Sequence, residues 1–117
     1  MKKDTDNLIV KLSLEFALDI ITLAEKLEEL KKFVIARQLF KSGTSIGANI
    51  REAQNAESKA DFIHKMKIAA KEADETEYWL TLCKLAPSYP NPENLTEKLQ
   101  SILNILSKII ITSKSTQ

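Results

Sequence analysis

Glycine and proline are scarce in this chain, with two and three in 117 residues. Sheets and many-looped folds draw on both for their turns, so the shortage excludes most all-β architectures and favours long helices with few connections. Cysteine occurs once, at Cys83, which rules out an intrachain disulfide and any multi-cysteine zinc site. Histidine also occurs once, at His64. No apolar run approaches the roughly 20 residues that span a bilayer. The start, Met1-Lys2-Lys3-Asp4, leads into acidic and polar residues, not into the apolar stretch of a signal peptide. The expectation by elimination is a cytoplasmic chain with no membrane partner. A dominant charge sign is missing too: 17 basic and 16 acidic residues leave +1. That is no global electrostatic footprint for nucleic acid, so any such argument has to be local.

What is present is enough to fold. Hydrophobic residues are 44% and charged residues 28%, close to globular averages, and the length suits one domain over residues 1–117 with one core. Four segments have helical periodicity. The first, about 7–30, places Ile9, Leu12, Phe16, Ile20, Leu23, Leu27 and Leu30 on one face at steps of three or four. Asp4, Thr5, Asp6 and Asn7 stand ahead of it as N-caps. The second, about 34–56, holds both glycines, Gly43 and Gly47, in its interior, where each costs about 1 kcal/mol against alanine. Because Leu39, Gly43, Ile46, Ile50 and Ala53 keep the period through them, close approach of a neighbouring helix explains them better than a break. The third, about 59–86, is capped by Ser58 with Asp61 at its third position, and carries the seam Phe62, Met66, Ala69, Ala73, Thr76, Leu80 and Cys83. Pro87, Pro90 and Pro92 end it. The fourth, about 93–113, has the seam Leu95, Leu99, Ile102, Leu106 and Ile109 behind a cap at Asn94. Four amphipathic helices with mostly short connections predict an all-α, up-down-up-down antiparallel four-helix bundle. Leu103, Ile105, Ile110 and Ile111 lie off the last seam, and this apolar surplus points to a homo-oligomer.

The second helix has three stripes, each advancing by four, three, four, three. One residue before the apolar stripe runs a polar one: Gln38, Ser42, Ser45, Asn49 and Glu52. Two residues before it runs Arg37, Lys41, Thr44, Ala48 and Arg51, basic wherever it is charged. With Lys31 and Lys32, five basic residues precede the first acid, Glu52. Two readings stand side by side. Arg37, Lys41, Arg51, Lys31 and Lys32 form a face that contacts the phosphates of RNA or DNA, or they form a solvated face paired with acids such as Glu72, Glu75 and Glu77. No aromatic residue is interleaved in the stripe, so base stacking gains no support. The polar stripe reads better as a small-residue packing or interface groove, its hydroxyls bonded to backbone carbonyls, than as a ligand contact.

No arrangement of residues supports catalysis, and no cofactor or metal is implied. Asp61 and His64 have i, i+3 spacing, but a carboxylate-bridged bundle site needs a second such motif and facing glutamates. Cys83 falls on an apolar seam, where an inert thiol is usual. Glu25 with Glu28, and Glu72 with Glu75, share spacing with the paired acids of all-α nucleotide pyrophosphohydrolases, yet the whole second helix separates them and solvated positions explain both.

Lys41-Ser42-Gly43-Thr44-Ser45-Ile46-Gly47-Ala48-Asn49-Ile50-Arg51-Glu52-Ala53 resembles the signature of a bacterial family of four-helix-bundle proteins, first described in intervening sequences of 23S ribosomal RNA genes. Lys41 stands where that family usually has arginine. A second block, Asp61-Phe62 and then Ile68 to Leu80, is similar to the family's third helix. The resemblance implies a ring-like homo-oligomer, a pentamer. Through a relationship to the accessory protein of diversity-generating retroelements, it also implies binding of nucleic acid and of a protein partner by a basic surface. Carried over, that makes Arg37, Lys41 and Arg51 the phosphate contacts. The competing expectation is a protein–protein adaptor with no nucleic-acid role, in which the polar stripe sets the register of an interface.

Overall fold

Each periodic segment forms one helix in the computed structural model, which describes the backbone of residues 4–115 and the side chains of residues 8–115. The helices are α1 (Asp4–Glu29), α2 (Phe33–Ala53), α3 (Lys59–Leu85) and α4 (Glu93–Ser115), and no strand occurs among the described residues. The ends differ from expectation by a few residues. Thr5, Asp6 and Asn7 lie within α1 rather than ahead of it, and any capping by their side chains falls outside the described residues. At the other end of α2 the helix stops at Ala53, and Asn94 sits inside α4, whose first turn closes with Thr96 N–H donating to Pro92 O at 3.0 Å. Ser58 is the cap it was expected to be: its Oγ accepts from Asp61 N–H at 3.0 Å, and Asp61 Oδ2 accepts from Glu57 N–H at 3.2 Å.

Short connections and the order of packing define an up-down-up-down bundle. α1 lies against α2, α2 against α3, α3 against α4 and α4 against α1, while the diagonal helices stay apart. The result is a rod of 49 × 20 × 19 Å. Along its axis run Ile9, Phe16, Ile20 and Leu27 of α1, Leu39, Ile46 and Ile50 of α2, Met66 and Leu80 of α3, and Leu99, Ile102 and Leu106 of α4, all with almost no exposure. Each such side chain contributes about 1.5–3 kcal/mol by leaving water.

Two departures from the periodic reading have local causes, and its reading of the glycines holds. Leu30 is 47% exposed because α1 ends before it. The stop is a Schellman arrangement: Lys32 N–H donates to Leu27 O and Lys31 N–H to Glu28 O, both at 2.8 Å, and Lys31 has φ 64°. Lysine thus occupies a left-handed position that glycine usually fills, so no glycine announced the boundary. On α4 the surplus is mostly absorbed. Leu103, Ile105 and Ile110 pack partly buried against the core, and Ile111 alone of the four is exposed. Finally, both glycines mark close approach to α1, Gly43 over Ile20 and Gly47 over the Ser13 backbone.

Candidate functional site

The three stripes of α2 meet different surroundings, set by where its neighbours lie. The polar stripe faces α3. Ser42 is buried with its Oγ 2.9 Å from Thr76 Oγ1, which also donates to Glu72 O at 2.7 Å. Ser45 Oγ donates to Lys41 O at 2.6 Å and Asn49 Nδ2 to Ser45 O at 2.9 Å, while Glu52 pairs with Lys65 at 3.0 Å. Gln38 is half-buried. Four of the five are therefore occupied within the subunit, Ser45 and Asn49 by backbone carbonyls of α2 and Ser42 and Glu52 by side chains of α3.

The basic stripe faces outward and leans toward α1. Arg37, Lys41 and Arg51 are exposed, and none has a carboxylate within 4.0 Å among the described residues. The pairing with Glu72, Glu75 and Glu77 is not formed. Glu75 Oε2 instead accepts from the Trp79 indole N–H at 3.1 Å. Lys31 and Lys32 do not extend the stripe. They lie at the α1–α2 turn, where the Lys32 ammonium sits 4.5 Å from the centre of the Tyr89 ring and ties the turn to the proline loop.

Beside the cations the structure brings together residues that the single-seam reading left out. Val10, Ser13, Leu14 and Ala17 of α1 line one shallow groove with Thr44, Gly47, Ala48 and Arg51 of α2. Further along the same helix pair, Ile21, Ala24, Glu25 and Glu28 line a cleft of about 480 Å³ with Ala36, Arg37 and Phe40. Small residues floor this face because α1 and α2 approach closely there. Apolar ones stand up from it: Leu14 is 57%, Leu18 58% and Phe40 49% exposed. The signal was present as a second α1 period, Val10, Leu14, Ala17 and Ile21, beside the core seam. Phe40 also supplies an aromatic ring next to Arg37 that the stripe itself lacks.

Cys83 and Lys114 are among the groups that their surroundings shift from the ordinary value. Burial raises the Cys83 thiol above its ordinary value and suppresses the thiolate. Lys114 of α4 is pushed below the usual lysine value by hydrogen-bonding to, and repulsion from, the Lys67 ammonium of α3. His64 is exposed. Among the described residues no three histidine, cysteine or carboxylate side chains gather where a metal ion could be held. Nor is any helix long and apolar enough to cross a membrane.

With this geometry in place, comparison with known proteins is decisive for kinship. The family model for 23S rRNA-intervening sequence proteins matches residues 5–112. The chain belongs to the 23S rRNA-intervening sequence protein family. A solved structure supports the assignment: a protein with unknown function from the S23 ribosomal protein family of Bacteroides thetaiotaomicron VPI-5482 is 47% identical. The alignment covers 91% of this chain and 97% of that one, with a TM-score of 0.86. No curated protein matches the chain. Kinship thus fixes the fold and family but carries no activity, since the solved relative is itself a protein with unknown function.

Proposed function

We propose that this protein is a non-enzymatic, self-associating bundle whose α1/α2 face is its contact surface for other protein chains. One observation carries the reading: Leu14, Leu18 and Phe40 stand about half exposed along the α1/α2 face, with arginine and lysine along its edge. Scattered surface leucines are ordinary, but an apolar strip with a charged rim marks an interaction site. Covering it removes apolar surface from water at about 25 cal/mol per Å². The test is the mass in solution by light scattering over a range of concentrations. The parent should be larger than one chain, and Leu14→Glu with Leu18→Glu should reduce it while helical content stays the same. A parent that is monomeric throughout, or a double variant of unchanged mass, overturns the reading.

A second reading keeps the same cations for RNA or DNA, and is favoured by their having no carboxylate partner among the described residues. Arg37 and Arg51 are about 21 Å apart along α2, a span over which several phosphates of one strand could be met. Glu25 and Glu28 weigh against it, because they line the cleft of Arg37 and repel phosphate. Under this reading, binding of a short RNA weakens as salt rises, and replacing Arg37, Lys41 and Arg51 together removes about three charges' worth of that slope. A triple variant that binds RNA as the parent does eliminates it.

A further inference from the structure

The turn between α3 and α4 forms one wall of an apolar cup. Ala86 N–H donates to Leu82 O at 2.9 Å and Tyr89 N–H to Ala86 O at 3.3 Å, which folds the chain back after α3. Pro87, Pro90 and Pro92 restrict the backbone of this turn, so its shape is set before any ligand arrives. Ile35 of α2, Leu82 and Leu85 of α3, and Ala86 and Tyr89 of the turn line a cavity of about 400 Å³, within the range of small-molecule sites. Four of the five are aliphatic, and the fifth brings an aromatic ring. Over that ring lies the Lys32 ammonium, 4.5 Å from its centre. Neither Lys32 nor its neighbour Lys31 has a carboxylate within 4.0 Å among the described residues, and Glu93, just past the turn, is taken by Lys84 at 3.5 Å.

We propose that this cup binds a medium-chain carboxylate, with its alkyl tail on Ile35, Leu82 and Leu85 and its head group on the Lys32 ammonium. Two observations specify the occupant. Among the lining side chains only the Tyr89 hydroxyl can hydrogen-bond, so the cup favours an alkyl chain and penalises polar groups buried in it. The charge at its wall is positive and has no carboxylate partner among the described residues, so it attracts an anionic head and repels a cationic one. Leu82 is 37% and Leu85 71% exposed, apolar surface that a tail removes from water. The contact with Tyr89 also holds the Lys32 ammonium at the cup instead of leaving it free in solvent. Lys32 thereby acquires a role separate from that of the α2 cations. The site goes beyond the α1/α2 reading and does not depend on it, because none of the five lining residues belongs to that face.

The test titrates the full chain, its isoleucine and leucine methyls isotope-labelled for NMR, with sodium octanoate and sodium decanoate below their micelle concentrations. The methyl signals of Ile35, Leu82 and Leu85 should shift saturably. The two extra methylenes of decanoate should tighten binding roughly four- to fifteenfold, for half to full burial of each. Lys32→Gln should weaken octanoate roughly two- to fivefold and leave 1-octanol unaffected, while Lys32→Arg keeps the parent affinity. Ala86→Phe, which fills the cup, should abolish the shifts. Each variant is compared with the parent by circular dichroism, and the Lys32 pair decides the matter should Ala86→Phe fail to fold. Absence of any saturable shift overturns the proposal. So does octanoate binding that Lys32→Gln leaves unchanged, since the head group then has no partner. Equal shifts at Leu14 and Leu18 would show detergent-like adsorption to exposed leucines and overturn the site. Cup signals that ignore the carboxylates but move with protein concentration would mean that a second copy fills it, which overturns the proposal as well.

Discussion

Ile20 fills the space that a side chain on Gly43 would need. A Cβ built there would lie 2.7 Å from Ile20 Cγ1 and 2.9 Å from its Cγ2. Both atoms branch directly from the Ile20 Cβ, and Ile20 is itself fully buried, so they have little room to turn aside.

Gly43→Ala should therefore destabilise the bundle even though alanine is the better helix former. Propensity alone favours alanine by about 1 kcal/mol, but overpacking a close-packed core costs roughly 1–3 kcal/mol. The expected net loss is about 1 kcal/mol, read as a lower urea midpoint at unchanged m-value. Gly47→Ala is the control. Its Cβ would meet Ser13 O at 3.3 Å, a contact that tenths of an ångström of helix movement relieve, so its midpoint should stay near the parent's. Equal losses at both positions would mean that Ile20 is not the obstruction.

Ser42 and Thr76 are the buried polar link between α2 and α3. Thr76→Val preserves volume but strips the Ser42 hydroxyl of its partner in a dry site, which should cost about 1–3 kcal/mol. Adding Ser42→Ala to that variant removes the orphaned hydroxyl and should recover much of the loss. A double variant as weak as the sum of the single ones would show that the two hydroxyls are not coupled.

Lys31 holds the left-handed position at the end of α1. For a residue with a Cβ that conformation costs roughly 1–2 kcal/mol, part of which glycine's extra unfolded-state freedom offsets. Lys31→Gly should thus raise stability by about 0.5–1 kcal/mol, whereas Lys31→Ala should not. If alanine stabilises as much as glycine, removal of the charge and not the backbone conformation is the cause.

Periodicity alone determined the helix number, the buried seams of α3 and α4 and the Ser58 cap, because apolar side chains at steps of three and four have only one way to leave water together. It also identified the glycines as points of close approach, since a helix that keeps its period through glycine has another use for the missing side chain. The candidate site was legible only in part. The exposed cations of α2 could be named from their spacing, but that they have no carboxylate partner among the described residues depends on which side of α2 its neighbours occupy. The same is true of Ser42 and Glu52 in the polar stripe, which bond to Thr76 and Lys65 of α3, and of the α1–α2 boundary, which lysine closes without any glycine or proline to mark it. Tertiary structure decided which apolar residues remain in water. Leu103, Ile105 and Ile110 looked like surplus and are covered, whereas Leu14, Leu18 and Phe40 drew no attention and are bare. A helix carries its pattern through 360°, and only the directions from which its neighbours approach determine which part of that pattern becomes core and which becomes surface.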